Sequence, residues 1–511
     1  MEITTSANSS NLTPLVTENY TLKLKQSIQD LLSENQKQFP DFSLFIDAFH
    51  ELMHANVDPP FEVIWVYAAI TFRSRKSEKA DSLDRVLAAK DLFQLLLSAS
   101  SGSVDASKSI ALLAPLVFEL HNVFKELSGS DLRLKREKKA MREVKSLVGV
   151  VLSYIGVCCC QISYEDENDS GLNLSLPFND LACVWVNSND GFGSLLPLVS
   201  RDVCSWLCIA REFDVAYLSG AVIMEVFLLN LCLSLHLEKT PRDDGLDMNL
   251  KAWAVGSIST FQNIYFVEIL LRAALETPLP MDAILKPEDE ILLRKIVFDA
   301  VLLVDYPFCY SNTKHFGSLT LTKLVVTHEA VEHFRGLGDQ NRAISYTRAF
   351  SASNTPSQII KRVTSLNGLD EKSGRTNGSS PRALISWLLS LENRGISVFV
   401  DDILKNHAKS GLGVSQAEQP AGDSEGKIAD DDLFYIDNIA EDGEEDKQNE
   451  RISYAFVAAA QTMKLTEDGN RKRKGISNEN SYPVKARTSA AASNSSSGES
   501  EVDDPVSDSD A

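Results

Sequence analysis

Helical periodicity recurs along the chain from about residue 18 to about residue 408, and strand-like alternation is hard to find there. Apolar residues return every three or four positions in segments such as SLDRVLAAKDLFQLLLSA (82–99) and NIYFVEILLRAALE (263–276). This spacing gathers apolar side chains on one face of an α-helix, whereas a half-buried strand needs a period of two. The sequence therefore predicts an all-α fold.

Many consecutive helices joined by short polar connections, for example EKTPRDDG (238–245), make up this region. At 511 residues the chain also exceeds the size of one typical core. These features favour an irregular armadillo- or HEAT-like helical solenoid, in which helix pairs stack side by side, or another multi-helix body. No fixed sequence period separates the two architectures.

One segment, SPRALISWLLSLENRG, carries complete start and stop signals for a helix. Ser380 is a favourable N-cap, Pro381 suits the first helical position, and Gly395 suits the position just past the end. We therefore expect a helix between Pro381 and Gly395.

Changes in composition divide the chain into three parts. Residues 1–17 are predicted to be a flexible leader, and residues 18–408 an all-helical body with an exposed linker at 366–379. Residues 409–511 are rich in Gly, Ser, Asp, Glu, Asn and Ala, with few apolar residues. Such a segment cannot bury enough apolar surface to offset its ordering entropy, so we expect a disordered acidic, Ser-rich tail.

The charge of the chain is strongly negative and concentrated late in the sequence. The net charge is −21, and residues 421–450 hold 12 acidic side chains against two lysines, a net of −10. A negative field repels phosphate backbones, so general nucleic-acid binding is disfavoured unless a local basic patch overrides it. Basic proteins are the expected partners.

Two short segments of the tail resemble interaction signals. DDDLFYIDNIAEDGEED (430–446) embeds Leu433, Phe434, Tyr435 and Ile436 among carboxylates, which is typical of motifs that become ordered on binding. RKRK is followed by PVKAR and resembles a nuclear localisation signal, for which an import receptor is the partner. The residues of this signal are Arg471, Lys472, Arg473, Lys474, Lys485 and Arg487.

The end of the chain, SGESEVDDPVSDSDA, contains candidate phosphorylation sites. Ser500 and Ser507 each precede an aspartate by three positions, the pattern that acidophilic kinases of the casein kinase type accept. Phosphate groups at these positions would add to the negative charge of the tail.

A basic segment, RLKREKKAMREVK (133–145), contrasts with this acidity. It is either a solvated helix face with i,i+4 ion pairs, a phosphate-contacting patch, or a docking surface for an acidic segment. Because the chain supplies an acidic segment of its own, we hypothesise that residues 421–446 cover this patch. Its seven basic residues are Arg133, Lys135, Arg136, Lys138, Lys139, Arg142 and Lys145.

The sequence HELMH, from His50 to His54, matches the H-E-x-x-H pattern of zinc peptidases. In that alternative His50 and His54 are zinc ligands and Glu51 is the general base. Helical spacing instead places His50, Glu51 and His54 on a polar face, and no third ligand follows in the expected context. We therefore expect no metal and no cofactor.

A second run, THEAVEHFRG, contains His328 and His333 five positions apart. Neither zinc-site order is satisfied, and we expect a solvated helix face. We also find no Walker A loop, dinucleotide-binding glycine motif, nucleophile elbow or kinase motif set, so the sequence does not support an enzyme.

Residues 146–163, SLVGVVLSYIGVCCCQIS, are uncharged and follow a basic flank, which makes a membrane-associated protein a further alternative. Three serines, two glycines and one glutamine lower the apolarity of this run. A central helix of a multi-helix body is also apolar on most sides, so we favour a buried helix and no membrane. The eight cysteines lie mostly within apolar runs and include no C-x-x-C pair, so they are expected to be reduced, buried thiols.

Together these features predict a non-enzymatic scaffold or adaptor for protein–protein interactions. The import-like cluster indicates the nucleus, with the nucleolus as a sub-compartment. Ribosome assembly or chromatin-linked processes are the expected settings, because acidic tails often accompany proteins that handle ribosomal proteins or histones. Zinc-dependent hydrolysis through residues 50–54 and membrane association through residues 146–163 stay as the two alternatives.

Overall fold

The computed structural model describes residues 13–412, with gaps. The internal gaps are residues 38–40, 57, 76–80, 101–104, 131–133, 161–174, 188–194, 200, 210–214, 238–243, 277–278, 280–283, 311–312, 368–379 and 400. The described residues form α-helices and one short 3-10 helix, and no strand occurs among them. The predicted all-α fold is confirmed.

The helices follow one another closely along the chain. The first nine are α1 (Thr13–Asn35), α2 (Ser43–His54), α3 (Phe61–Arg75), α4 (Ser82–Ser100), α5 (Ala106–Ala111), α6 (Ala114–Ser128), α7 (Lys135–Cys160), α8 (Leu176–Asn187) and α9 (Arg201–Ile209). The next four are α10 (Val215–Leu237), α11 (Asp244–Phe261), α12 (Ile264–Ala273) and α13 (Pro287–Leu302). After the 3-10 helix Pro307–Tyr310 come α14 (Thr313–Gly336), α15 (Gln340–Ala352), α16 (Thr355–Asn367), α17 (Pro381–Asn393) and α18 (Asp402–Gly411).

Helix α10 forms the centre of the core. Its sequence, VAYLSGAVIMEVFLLNLCLSLHL, is apolar on all sides, so neighbours must cover it all round. Helices α5, α6, α7, α12 and α13 pack against it. Gly220 allows the closest approach, because a Cβ there would lie only 2.8 Å from the backbone nitrogen of Phe266 on α12.

Helix α14 organises the last part of the helical body in a similar way. It packs against α12, α15, α16, α17 and α18. Some neighbours, such as α10 and α12 or α14 and α16, are separated by one helix in the chain, as in a stack of helix pairs. The contacts of α10 with α5 and α6 are more distant in sequence, so the packing of the described helices is irregular.

The start and stop signals predicted around α17 are confirmed. The Ser380 hydroxyl accepts a hydrogen bond from the Ala383 amide at 3.2 Å, and Pro381 occupies the first turn. Gly395 has a φ of 85°, the left-handed conformation that glycine adopts readily after a helix end.

The structure shifts some predicted boundaries. Helix α1 begins at Thr13, inside the segment predicted as a leader, and α16 continues to Asn367, inside the predicted linker 366–379. The rest of the linker and residues 413–511 of the predicted tail lie outside the described residues. The described cysteines form no disulfide bond with one another, and five of them are buried, whereas Cys160 is exposed.

Candidate functional site

The basic segment predicted from the sequence forms the first half of helix α7. Within α7 the apolar positions Ala140, Met141, Val144, Leu147 and Val148 are buried. The cationic positions between them therefore point away from the core. Five of them are exposed and form what we call the α7 basic face: Lys135, Lys138, Lys139, Arg142 and Lys145.

Arg136 is exposed but has a structural partner. Its Nε lies 2.6 Å from Asp81 Oδ2, and its Nη2 lies 3.1 Å from Asp84 Oδ1. The hydrogen bond and negative charge of Asp81 raise the pKa of the Arg136 guanidinium. This pair joins α7 to the start of α4, so Arg136 is occupied by an internal contact. Arg133 lies outside the described residues.

The α7 basic face differs from Arg136 because its five cations have no ion-pair partner among the described residues. Glu137, one of the two acidic residues in the segment, instead accepts a hydrogen bond from the Leu134 amide at 3.4 Å. An ion pair between one of these exposed cations and an acidic residue one turn away on α7 would stabilise the helix by only about 0.3–0.5 kcal/mol. The cations therefore stay available to an external anion.

The zinc-type motif lies on the exposed side of α2. Nε2 of His50 and Nε2 of His54 are 3.1 Å apart, one helical turn from each other. The side of α2 that faces the core carries Phe49 and Leu52, so the two histidines lie on the polar side that the helical spacing predicted. Among the described residues, no group of three His, Cys, Asp or Glu side chains could hold a metal ion.

The second histidine run differs from the prediction. His328 is buried, with 2% of its surface exposed, and its Nε2 lies 3.2 Å from the carbonyl oxygen of Gly411. The expectation of a solvated face was wrong at this position because α18 covers it. Burial lowers the pKa of His328. The neutral ring can thus donate its Nε2–H to Gly411.

A buried ionic cluster that the sequence did not reveal holds α18 in place. Arg272 Nη2 lies 2.8 Å from Asp401 Oδ2 and 3.6 Å from Glu268 Oε1. The Arg272 guanidinium carbon lies 3.8 Å from the centre of the Trp206 ring, in cation–π contact. Burial raises the pKa of Glu268, while Arg272 and a hydrogen bond from Ser318 oppose that shift.

A second buried cluster joins α13 and α15. Asp299 accepts two hydrogen bonds from Arg342 Nη1, both 2.8 Å long, and one of 2.8 Å from the Tyr346 hydroxyl. Lys251 of α11 adds an ion pair at 3.4 Å. These contacts tie three helices together, so the charges of this cluster are used for packing.

Glu225 of α10 is a third buried ionisable residue. Its Oε1 accepts hydrogen bonds from the amides of Leu198 and Val199 at 2.7 and 2.9 Å. Its Oε2 has no hydrogen-bond partner among the described residues. Burial raises the pKa of this carboxyl well above its ordinary value, against the smaller effect of the two amides. The side chain therefore holds the segment before α9 through these two hydrogen bonds.

Two clefts stand out among the described residues, one beside Arg362 and Thr320 and the other beside Arg272 and His407. Each encloses about 10 Å³, room for one water molecule at most. Neither cleft can hold a small-molecule substrate in this conformation.

Two described helices, α7 and α10, are long and apolar enough to cross a membrane. In α10, 94% of the apolar window is buried inside the helical body, against 44% in α7. Core helices share this composition, and α10 is one of them. The corresponding part of the predicted span 146–163 is helical up to Cys160.

The other predicted site residues, namely Leu433, Phe434, Tyr435, Ile436, Arg471, Lys472, Arg473, Lys474, Lys485, Arg487, Ser500 and Ser507, lie outside the described residues. Comparison of the chain with protein-family models, curated proteins and solved structures finds no match in any of the three.

Proposed function

We propose that the chain is a non-enzymatic scaffold that binds other proteins in the nucleus, including the nucleolus. The observation that carries this proposal is the contrast between two sets of charges. The buried ionic clusters around Arg272 and Asp299 connect helices. The α7 basic face is exposed and has no ion-pair partner among the described residues. Exposed, unpaired charge of one sign suits an interaction surface.

The sequence beyond residue 412 supports the compartment and the partners. The cluster from Arg471 to Lys474 suits an import receptor, and the acidic segment 421–450 suits basic proteins. Ser500 and Ser507 provide sites where phosphorylation adds negative charge. Ribosome assembly and chromatin-linked processes offer basic proteins of this kind, and nucleic acid is a partner only through the α7 basic face.

Localisation of a fluorescent fusion of the full chain tests this proposal. We expect the wild type in the nucleus and a variant with Arg471, Lys472, Arg473 and Lys474 changed to alanine excluded from it. A matched control replaces Lys135, Lys138, Lys139 and Lys145 with alanine, which removes four positive charges elsewhere and should leave import intact. A wild-type protein that stays cytoplasmic, or that enters the nucleus regardless of the cluster, would contradict the proposal.

Nuclear entry alone does not show a scaffold, so a binding experiment follows. The purified full chain is tested for binding to core histones and to ribosomal proteins at 0.15 M and 0.5 M NaCl. We expect binding that weakens at the higher salt concentration, because the Debye length falls and exposed charges are screened. Binding to neither class would contradict the proposed partners.

The zinc-dependent hydrolase is the second candidate, and one distance favours it. Two nitrogen ligands on one tetrahedral zinc ion lie about 3.3 Å apart for Zn–N bonds of about 2.0–2.1 Å, close to the 3.1 Å between His50 and His54. Metal analysis of the purified chain separates the candidates. Stoichiometric zinc that is lost in His54→Ala and kept in His407→Ala would favour the hydrolase, and its absence would eliminate it.

A further inference from the structure

The exposed side of α7 changes in character along its length. The α7 basic face covers the first half of the helix. The exposed positions that follow on the same side, up to residue 157, are Ser146, Val150, Ser153 and Val157, and the two valines have 49% and 57% of their surfaces exposed. An α-helix turns by 100° per residue, so the exposed positions between Lys138 and Val157 all fall within about 140° of the helix circumference. The α7 basic face together with Val150 and Val157 is called the α7 stripe.

We propose that the α7 stripe is the docking surface for residues 430–436 of the same chain, DDDLFYI. This segment has the same order of chemistry as the stripe. Three carboxylates come first, followed by Leu433, Phe434, Tyr435 and Ile436. When the segment runs in the same direction as α7 and its carboxylates lie on the cations, its apolar residues reach the exposed valines.

The lengths of the two partners agree. Six residue steps of extended chain, from 430 to 436, span about 20 Å at ~3.3 Å per residue. Along α7, the 15 steps from Arg142 to Val157 span about 22 Å at ~1.5 Å per residue. The carboxylates can therefore lie at Arg142 and Lys145 while the apolar residues reach Val150 and Val157.

The position of the segment in the chain favours it over a separate molecule. The described part ends at Leu412, and the residues 413–429 that follow can span at most about 60 Å. A short flexible tether that spans the distance to its binding site gives an effective concentration of order millimolar. A free peptide of equal affinity would have to reach that concentration to compete.

An acidic peptide segment fits the α7 stripe better than a nucleic acid does. A phosphate backbone would use the cations and leave Val150 and Val157 without a partner. The net charge of −21 also opposes approach of a polyanion from solution. When docked, residues 430–436 would cover the α7 basic face, which is the surface that the proposed function assigns to partner proteins. To that extent the inference rests on the proposed function.

Hydrogen exchange of the purified full chain, followed by mass spectrometry, tests the docking directly. We expect amides of residues 430–436 to exchange about fivefold faster in Arg142→Glu/Lys145→Glu than in the wild type. Lys23→Glu/Lys25→Glu is the matched control, since it makes the same charge change on exposed positions of α1 and should leave these amides unaffected. Equal exchange in all three proteins overturns the proposal.

A charge swap excludes a purely structural effect of the α7 substitutions. Changing Asp430, Asp431 and Asp432 to lysine should accelerate exchange at 430–436 in the wild-type background and restore slow exchange in Arg142→Glu/Lys145→Glu. These tail substitutions leave every described residue unchanged, so in the wild-type background they test the docking even if the α7 variant folds poorly. Failure of the restoration in a folded double variant overturns the proposal.

Two further measurements separate the other occupants. If the slow exchange at residues 430–436 becomes fast when the protein is diluted, the α7 stripe binds this segment from a second copy of the chain. A labelled RNA duplex that binds measurably and with equal affinity to the wild type and to a variant with Asp430, Asp431 and Asp432 changed to asparagine would show an uncovered stripe. Either result overturns the proposal. None of these measurements depends on nuclear localisation, so failure here is distinguishable from failure of the proposed function.

Discussion

Arg272 of α12 and Asp401, which caps α18, form a buried ion pair between residues 129 positions apart in the sequence, with 2.8 Å between Nη2 and Oδ2. Asp401 also accepts a hydrogen bond from the Leu404 amide through its other oxygen at 2.8 Å. One carboxylate thus starts α18 and attaches it to α12. The rest of α18 buries only Leu404 and Ala408, so its position depends strongly on this pair.

The variant Asp401→Asn tests that dependence. Asparagine is also a good N-cap, so the substitution removes the charge while the cap is retained. The substitution leaves the buried charge of Arg272 with only the longer contact to Glu268 at 3.6 Å. We therefore expect a loss of about 3 kcal/mol in the free energy of unfolding, the lower end of the range for a broken buried ion pair. Asp402→Asn is the matched control at an exposed position of the same turn and should cost less than about 0.5 kcal/mol. Urea unfolding followed by circular dichroism measures both, and equal losses would argue against the role of the pair.

Glu225 gives a prediction about pH. Because burial raises its pKa in the folded state above that in the unfolded state, the folded chain binds a proton there more tightly. Its contribution to stability is present below the unfolded pKa and is lost as pH rises toward the folded pKa, by about 1.4 kcal/mol per pH unit. In Glu225→Gln, which keeps an acceptor for the two amides, we expect this loss to disappear.

Thermal unfolding of the wild type and Glu225→Gln between pH 5 and pH 9 measures the effect. The midpoint of the wild type should fall relative to that of the variant as pH increases. Parallel curves for the two proteins would mean that Glu225 does not titrate between the folded and unfolded states as the burial implies.

The space around two glycines predicts opposite effects of alanine, since Gly220 lies in the close contact between α10 and α12 whereas Gly256 has open space around it. A Cβ at residue 220 would lie 2.8 Å from backbone atoms of Tyr265 and Phe266, which cannot move aside cheaply. We expect Gly220→Ala to destabilise the chain by about 1–3 kcal/mol. At Gly256 of α11 no atom lies within 4 Å, so Gly256→Ala should stabilise the helix by about 0.5–1 kcal/mol. Chemical denaturation of both variants checks the contrast, and a stabilised Gly220→Ala would contradict the packing.

The burial of α10 and of the core side of α7 predicts how the chain fractionates. Since 94% of the apolar window of α10 lies inside the helical body, that surface is already removed from water. We expect the full chain in the supernatant after cell lysis without detergent and ultracentrifugation. Recovery in a pellet that resists alkaline carbonate and dissolves in detergent would instead favour the membrane alternative.

Local signals in the sequence determined the helices and some of their ends. Ser380, Pro381 and Gly395 act on backbone groups within four positions, so their effect on α17 can be inferred without knowing the fold. The all-round apolarity of α10 likewise requires burial whatever covers it. The position of the zinc-type histidines opposite Phe49 and Leu52 also follows from helical spacing alone.

Only the tertiary structure decided which charges are paired and which stay exposed. Arg136 and Lys138 belong to the same basic run, yet only Arg136 meets Asp81 and Asp84, which lie more than 50 positions earlier. His328 is buried because Gly411, 83 positions later, lies against it. Ion pairs and burial depend on distances in space between residues remote in sequence, and periodicity carries no information about those distances.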